Sequence, residues 1–313
     1  MAILNRNAFP KHFDRAIHNI FFDEYTEYPS EVEDIARITP APEGRYDKEA
    51  ELSPIGELQE IPEGTAVQFD QPVEGNEISR EATEYGLGIQ ITKRMARDDL
   101  FGNFKQMPRS LGRSAVHKKN TTFFDLFNNG INSTTYHTAW DGKSIVCYNA
   151  TASSTHQGLK SREAINNAPS TAGALSETTL QAAFEYMYKA DDQAGQPTVL
   201  TPYLLIVSVD EMWNANKLHD NLMQLSSGNR DLLTTNPKYG IVKPWSVYVS
   251  RYYTSTTAFH LLAREHDFRF RWKQKPLPES ADDFLTGNAL FKITMEFSTY
   301  CNRYLGVYGN AGA

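Results

Sequence analysis

The sequence is poor in cysteine. Its two cysteines, Cys147 and Cys301, are far apart and form no CxxC pair. A disulfide framework is therefore excluded as the source of stability, and a cysteine-ligated metal site is not expected. The eight histidines show no HxxxH or HExxH spacing, so the sequence predicts no zinc site.

Long hydrophobic runs and an excess of positive charge are also missing. No window approaches the roughly 18 apolar residues that a membrane helix needs, and the N-terminal stretch MAILNRNAFPKHFDRA lacks the apolar core of a signal peptide. We therefore expect a protein that is made and kept in a cytoplasm, with no membrane partner. The formal net charge of -7 gives no global attraction to nucleic acid, so any such contact must be local.

Catalytic signatures are absent as well. The sequence has no GxxxxGK[ST] phosphate loop, and Ser208 has no G-x-S-x-G context. Three acidic pairs have simple explanations as a helix start, a helix end and an exposed loop, in the order Asp98–Asp99, Asp191–Asp192 and Asp282–Asp283. We predict no catalytic residue, cofactor or metal, and an enzyme with an unrecognised carboxylate site stays open as a less favoured alternative.

Residues 174–218 form the most informative stretch that is present. Ser176 is a good helix N-cap, and an apolar helical face follows at Leu180, Ala183, Phe184 and Met187. Residues 203–207 predict a buried strand. Ser208 and Glu211 predict a capping box that starts a second helix. This stretch is a scaffold, since none of its residues forms a nucleophile, metal or phosphate site.

Residues 45–92 predict a long β-hairpin excursion that is punctuated by prolines and glycines, with its tip between positions 61 and 75. A two-stranded ribbon is marginal alone, so it should rest on a partner. Residues 96–129 predict the longest helix, which Pro108 and Gly112 should kink or split.

Further strands are predicted on both sides of turns near the C-terminal end. Residues 240–250 and 258–263 should pair with each other, and residues 268–273 should pair with residues 291–298, since both segments alternate apolar and polar positions. Residues 1–45 lack enough apolar periodicity to close a core. We therefore expect an arm that orders only against something else.

Two motifs resemble a known family. The order LSETTL, alternating helix, DQAGQP, PYLLIV and an acidic helix start is similar to the axial domain of tailed-phage major capsid proteins, whose fold was first described for the phage Hong Kong ninety-seven. The stretch YGLGIQITKRMARDDLFG resembles the join between extended loop and spine helix in prophage-type members. The resemblance spans roughly residues 45–310.

The resemblance implies an α+β capsid fold in four parts. These parts are an N-terminal arm at 1–45, an extended β-hairpin loop at 46–95, a peripheral domain with the long spine helix at 96–173 and 258–300, and an axial domain at 174–257 and 301–313. In the family the arm and the extended loop lie on neighbouring subunits. Members that crosslink covalently use a lysine in the extended loop, but between residues 45 and 92 the sequence has only Lys48, near the base of the loop. We therefore expect no crosslink.

Six residues are candidate assembly contacts. Pro62, Glu63 and Gly64 lie where the tip of the extended loop is expected. Arg269, Arg271 and Lys273 belong, with Lys275, to a basic row that either touches DNA phosphates or, as is more common, is solvated or pairs with acidic neighbours.

The function that the resemblance implies is that of a structural major capsid protein. It would self-assemble as hexamers and pentamers into an icosahedral head that encloses double-stranded DNA, in the virion, after assembly in the host cytoplasm. Expected partners are the chain itself, a separate scaffolding protein, a portal, decoration proteins, and packaged DNA through weak non-specific contact. An encapsulin-like shell that encloses a protein cargo is the main alternative, and a tail or decoration component is a weaker one.

Overall fold

The chain folds into helices and strands that are interspersed along the sequence. A computed structural model describes residues 10–40, 44–92, 106–131, 133, 137–147, 155–160, 164–220, 223–225, 233–235, 245–282 and 288–312. The helices are α1 (Pro10–Glu27), α2 (Val32–Ile35), α3 (Gln106–Asn128), α4 (Glu177–Lys189) and α5 (Met212–Asp220). Among the described residues, no helix combines the length and the apolar character needed to cross a membrane.

The strands follow the same chain order. They are β1 (Arg37–Thr39), β2 (Tyr46–Leu52), β3 (Glu74–Glu81), β4 (Thr83–Ile91), β5 (His156–Gln157), β6 (Ala164–Ile165), β7 (Pro202–Ser208), β8 (Met223–Leu225), β9 (Leu233–Thr235), β10 (Ser246–Ser250), β11 (Phe259–Ala263), β12 (Phe268–Asp282), β13 (Ala289–Cys301) and β14 (Val307–Asn310). The predicted α+β class is confirmed.

The described residues fall into two compact units. Unit 1 comprises those within 1–47, 80–123 and 269–299, and unit 2 comprises those within 48–79, 124–268 and 300–313. This division into two units reflects contacts between residues of the same chain. The four-part division that the family resemblance implies stays a prediction.

Unit 1 contains a four-stranded sheet in the order β1-β12-β13-β4. Strands β13 and β4 are antiparallel, with Ala289 opposite Ile91 and Phe297 opposite Thr83. The alternation in β13 buries Phe291, Ile293, Met295 and Phe297. Strands β12 and β13 are neighbours in this sheet, so the predicted pairing of residues 268–273 with residues 291–298 is confirmed.

Helix α3 is continuous from Gln106 to Asn128. The predicted start at residue 96 lies outside the described residues. Pro108 causes no break because it lies in the first turn of the described helix, where its missing N–H is not needed. Gly112 permits a close approach, since an added Cβ would lie 3.0 Å from the carbonyl oxygen of Phe21 in α1. The described helix is therefore not split at these two residues, and the expected kink stays a prediction.

The N-terminal segment packs inside its own unit. Phe21 is 1% exposed, Glu24 forms an ion pair with Arg113 of α3, and Lys119 Nζ lies 3.1 Å from Glu33. Strand β1 runs parallel to β12, with Ile38 opposite Phe270. Residues 18–39 therefore order against α3 and β12 of their own unit, which agrees with the expectation that the segment does not close a core by itself. The contact of the arm with a neighbouring subunit, which the family resemblance implies, stays a prediction.

Unit 2 is built on a sheet in the order β10-β7-β11-β14. Strand β10 is parallel to β7, and β11 is antiparallel to both β7 and β14. Residues 240–250 and 258–263 were predicted to pair with each other, but β10 and β11 instead flank β7 on opposite sides. Strand β7 lies between them because its apolar residues Leu204–Val207 are buried, and a position inside the sheet covers both faces of such a strand.

Helix α4 covers this sheet and begins as predicted. Ser176 is its N-cap, and Leu180, Ala183, Phe184 and Met187 are buried in the unit 2 core. The predicted capping box at α5 is not formed, because the Ser208 hydroxyl donates to the Thr256 carbonyl at 3.2 Å. The side chain of Glu211 instead accepts a hydrogen bond from Asn214.

The docking of α1 in unit 1 predicts a measurable contribution to stability. Phe21→Ala should lower the free energy of unfolding by about 3–5 kcal/mol, since it opens a cavity in a packed core. The neighbouring Phe22 is 41% exposed, so the matched Phe22→Ala change should cost about 1 kcal/mol or less. Chemical denaturation of the unassembled protein measures both. Equal effects would show that α1 is not docked in the free chain.

Candidate assembly interface

Residues 53–73, between β2 and β3, are the outer part of the predicted extended loop at 46–95, and the name extended loop refers to residues 53–73 from this point on. Its two arms are held together near the base: Ser53 N donates to Val73 O at 2.9 Å, and Val73 N donates to Ser53 Oγ at 2.8 Å. Further along, Gly56 N donates to a carboxylate oxygen of Asp70 at 2.7 Å. The contacts pair residue 53 with residue 73 and residue 56 with residue 70, and in each pair the two positions are equally far from Glu63 along the chain. The loop is therefore a hairpin whose two arms run side by side.

The tip of the hairpin is a turn at the first three predicted contact residues. The Thr65 N–H and hydroxyl both donate to the Pro62 carbonyl, at 3.1 and 2.7 Å. Gly64 has a φ of 84°, a backbone conformation that glycine adopts without steric cost. Pro62, Glu63 and Gly64 are all exposed. The structure thus brings these three residues together at the tip, and their contact with another molecule stays a prediction.

The extended loop exposes an unusual combination of side chains. Leu58 is 96% exposed and Phe69 is 93% exposed, and further large apolar side chains are exposed at Ile55, Ile61, Val67 and Val73. The loop also contains four carboxylates and no basic residue. Apolar side chains that are concentrated on one surface mark an interaction site. The chemistry of the loop therefore calls for a partner surface that is apolar and positively charged.

The base of the loop is anchored inside unit 2. Asn76 Nδ2 donates to the Trp140 carbonyl at 3.1 Å, and Lys160 Nζ lies 2.6 Å from the Asp70 carboxylate. The Lys160 hydrogen bond holds the pKa of Asp70 below its ordinary value. Glu51 of β2 is buried and accepts a hydrogen bond from Gln193, and burial raises the pKa of its carboxyl group.

A buried ion pair supports this anchor. His156 is fully buried, and its Nδ1 lies 2.7 Å from the Asp141 carboxylate. The ring of Tyr304 stacks on the imidazole with a centroid distance of 3.9 Å. Burial lowers the pKa of His156, but Asp141 and the nearby Cys147 sulfur more than offset this and raise the pKa to about 9. The pair holds residues 141 and 156 together. These positions lie near the two ends of segment 140–160, which supplies Trp140 and Lys160 as the partners of the loop base.

The cluster of His156, Asp141 and Cys147 has a structural role. Cys147 is 1% exposed, so its thiol cannot reach a substrate although an imidazole and a carboxylate lie nearby. Its backbone N–H donates to Asn167 Oδ1 at 2.8 Å. The sequence gives no signal for the pairing of His156 with Asp141, because this contact depends on two segments that meet in space.

The second group of predicted contact residues lies along β12 in unit 1. Arg271 forms an ion pair with Asp47, and its Nε donates to Thr39 Oγ1 at 3.1 Å. Lys273 Nζ lies 2.7 Å from a carboxylate oxygen of Glu296. Arg269 is half-buried opposite Arg37 in the sheet register. Arg271 and Lys273 therefore pair with acidic neighbours in their own chain, which was the more common of the two interpretations.

The acidic pairs form no reaction site in the part of the chain that the structure describes. Asp192 accepts hydrogen bonds from Ala194 N and Gln196 N at 2.8 and 2.9 Å, so it stabilises a turn. Asp98, Asp99 and Asp283 lie outside the described residues. Within the described part of the chain, no three histidine, cysteine or acidic side chains are grouped so that they could hold a metal ion.

Comparisons with known proteins agree with this arrangement. A sequence model of the family described as phage capsid protein matches residues 76–310, whereas no curated protein matches the sequence. The chain is similar to the capsid of an empty GTA particle, with 10% identity, a TM-score of 0.58, and 91% of this chain and 90% of that chain covered. These values show a shared fold.

Two further solved structures show the same likeness. The capsid of Ralstonia phage GP4 has 10% identity and a TM-score of 0.56, with 90% of each chain covered. A virus-like particle from Pyrococcus furiosus has 8% identity and a TM-score of 0.52, with 95% of this chain and 98% of that chain covered. The predicted phage capsid fold is confirmed.

The His156–Asp141 pair predicts a pH-dependent stability. A folded-state pKa of about 9 against an ordinary 6.5 means that the protonated imidazole favours the folded state. Its contribution of about 3 kcal/mol is complete below pH 6.5 and is lost as the pH rises through 9. Denaturation of the unassembled protein at pH 6 and pH 9.5 measures this loss.

The controls for this measurement are two single variants. Asp141→Asn should be less stable than the parent at pH 6 and should show a much smaller loss between pH 6 and pH 9.5. His117 is exposed, so His117→Gln should retain the loss in full. An unchanged pH profile in Asp141→Asn would contradict the role of the pair.

Proposed function

Because the chain belongs to the phage capsid protein family, we propose that its copies assemble as hexamers and pentamers into an icosahedral head that encloses double-stranded DNA. The chain is a structural capsid protein with the fold of phage major capsid proteins. Hexamers and pentamers made from one chain need the same two unlike surfaces to meet around each ring. Such a heterologous contact closes when its rotation fits the ring.

The observation that carries the proposal is the uncovered extended loop. Phe69 and Leu58 are almost fully exposed at 93% and 96%, and each would contribute about 1.5–3 kcal/mol if it became fully buried. Glu57, Glu60 and Glu63 make no ion pair with the described residues. A loop that is anchored at its base and uncovered along its arms is suited to contact a neighbouring subunit in a shell.

The electrostatics support weak contact with the packaged DNA. The net charge is -7, and Arg271 and Lys273 of β12 are paired with carboxylates of the same chain. A chain of this kind attracts DNA only locally, so confinement by the shell would have to hold the genome. A separate scaffolding protein, a portal and decoration proteins are the further partners of this proposal. Assembly would take place in the host cytoplasm, before the chain becomes part of the virion.

A shell around a protein cargo is the second candidate. The likeness to a virus-like particle extends over 95% of this chain, and the fold alone does not distinguish a head around DNA from a shell around protein. The contents of the particles distinguish the two, since packaged genome indicates a head and a uniform co-purifying protein indicates a cargo shell.

The proposal predicts that the chain forms uniform closed shells, or hexameric and pentameric rings, with a candidate scaffold present. Electron microscopy with nucleic-acid and mass analysis of the particles measures this. Phe69→Asp should prevent assembly, because it places a charge where an apolar contact is needed, and it should leave the thermal unfolding of the free chain unchanged.

The matched control is Gln68→Asp, which adds the same charge at the neighbouring exposed position and should still assemble. A chain that stays a monomer or a dimer at high concentration with scaffold present would contradict the proposal. Such a result would favour the alternative of an enzyme.

A further inference from the structure

A groove in unit 1 lies between α3 and the strands β4 and β13. Leu111 and Ala115 form its helix side, and Tyr85, Leu87 and Met295 form its strand side. Its volume is about 250 Å³, whereas an apolar cavity of about 150 Å³ is large enough to hold benzene. Leu87 is 54% exposed at the rim. The groove therefore has room for a phenyl ring without rearrangement of its walls.

Lys118 gives the rim of this groove a positive charge. Its Nζ lies 4.8 Å from the centroid of the Tyr85 ring, and it makes no ion pair with any residue in the described ranges. Helix α3 has no carboxylate before Asp125 to compensate this charge. The groove is therefore an apolar depression beside an ammonium group that has no carboxylate partner among the described residues.

The extended loop carries the complementary groups. The ring of Phe69 is 93% exposed. The contacts from Ser53 to Val73 and from Gly56 to Asp70 align the two arms, and the same spacing continued by one residue places Glu57 opposite Phe69. One side of the loop hairpin thus offers an aromatic ring with a carboxylate beside it.

We propose that the groove of one copy receives Phe69 from the extended loop of a second copy, and that Glu57 of that loop pairs with Lys118. This inference rests on the proposed function, since it specifies which surface of a neighbouring subunit the loop contacts. Apolar burial supplies the affinity, and the charge pair fixes the register of the loop. DNA fits the groove less well, because a phosphate can approach Lys118 but has no apolar group to place against Leu87.

A cysteine pair tests the contact directly. Chains that carry Phe69→Cys are mixed with chains that carry Leu87→Cys, assembled, and oxidised mildly. The native Cys147 and Cys301 are buried, so they should not compete. We expect a disulfide-linked dimer on a non-reducing gel that requires both variants and assembly. Trp213→Cys, at a position that is 79% exposed, replaces Leu87→Cys in the control mixture and should give no dimer.

The outcomes separate this inference from the proposed function. Shells that form without the dimer, or with equal crosslinking to Trp213→Cys, overturn the groove contact and leave the capsid function intact. A disulfide within a single chain that carries both Phe69→Cys and Leu87→Cys, formed without assembly, also overturns it. If the parent chain forms no shells at all, both the proposed function and the groove contact fail.

A charge exchange tests the register. Lys118→Glu and Glu57→Lys should each raise the concentration needed for assembly by about tenfold, and the double variant should return to within about threefold of the parent. Lys217→Glu makes the same change at an exposed lysine on α5 and should have little effect. Single variants that assemble like the parent, or a double variant no better than either single one, would overturn the pairing.

Discussion

The exposed apolar side chains of the extended loop are the constraint on which the rest of the account depends. A chain in solution keeps Leu58 and Phe69 in water, and removal of that apolar surface from water is the main favourable term in protein association. The loop cannot cover these side chains by itself, since two side-by-side arms have no third layer. The unassembled chain therefore carries a surface that a second molecule has to complete.

The base of the loop contrasts with its arms. Around the base, polar groups are paired inside unit 2: Asp70 with Lys160, Glu51 with Gln193, and Asp141 with His156. Along the arms, by contrast, Glu57 makes no ion pair with the described residues. A firm base limits the conformational entropy that the loop loses on docking, which improves the affinity of a contact of modest area. In unit 1, Arg271 and Lys273 of β12 are likewise paired, whereas Lys118 beside the groove makes no ion pair with the described residues.

Local pattern and resemblance predicted much of this structure. The alternation in β13, the N-cap of α4 and the apolar run of β7 each follow from side-chain direction or backbone hydrogen bonding, which neighbouring residues determine. The strand order β10-β7-β11 could not be read in this way, because the position of a strand depends on which apolar faces compete for the centre of a sheet. The packing of α1 on α3 also could not be read from local pattern, because it depends on the close approach of two distant segments that Gly112 allows. The tip at residues 62–64 could be predicted from turn chemistry, whereas the His156–Asp141 pair joins distant positions and leaves no local signal.

Hydrogen exchange of the extended loop tests the central claim most directly. Deuterium uptake by peptides from residues 53–73 would be compared between the unassembled chain and purified shells, with peptides from β7 as the internal reference. The account predicts rapid uptake in the free chain and strong protection of the loop in shells, while β7 is protected in both. Uptake by the loop that is equally rapid in shells and in the free chain would contradict it, because the apolar arms would then remain uncovered after assembly.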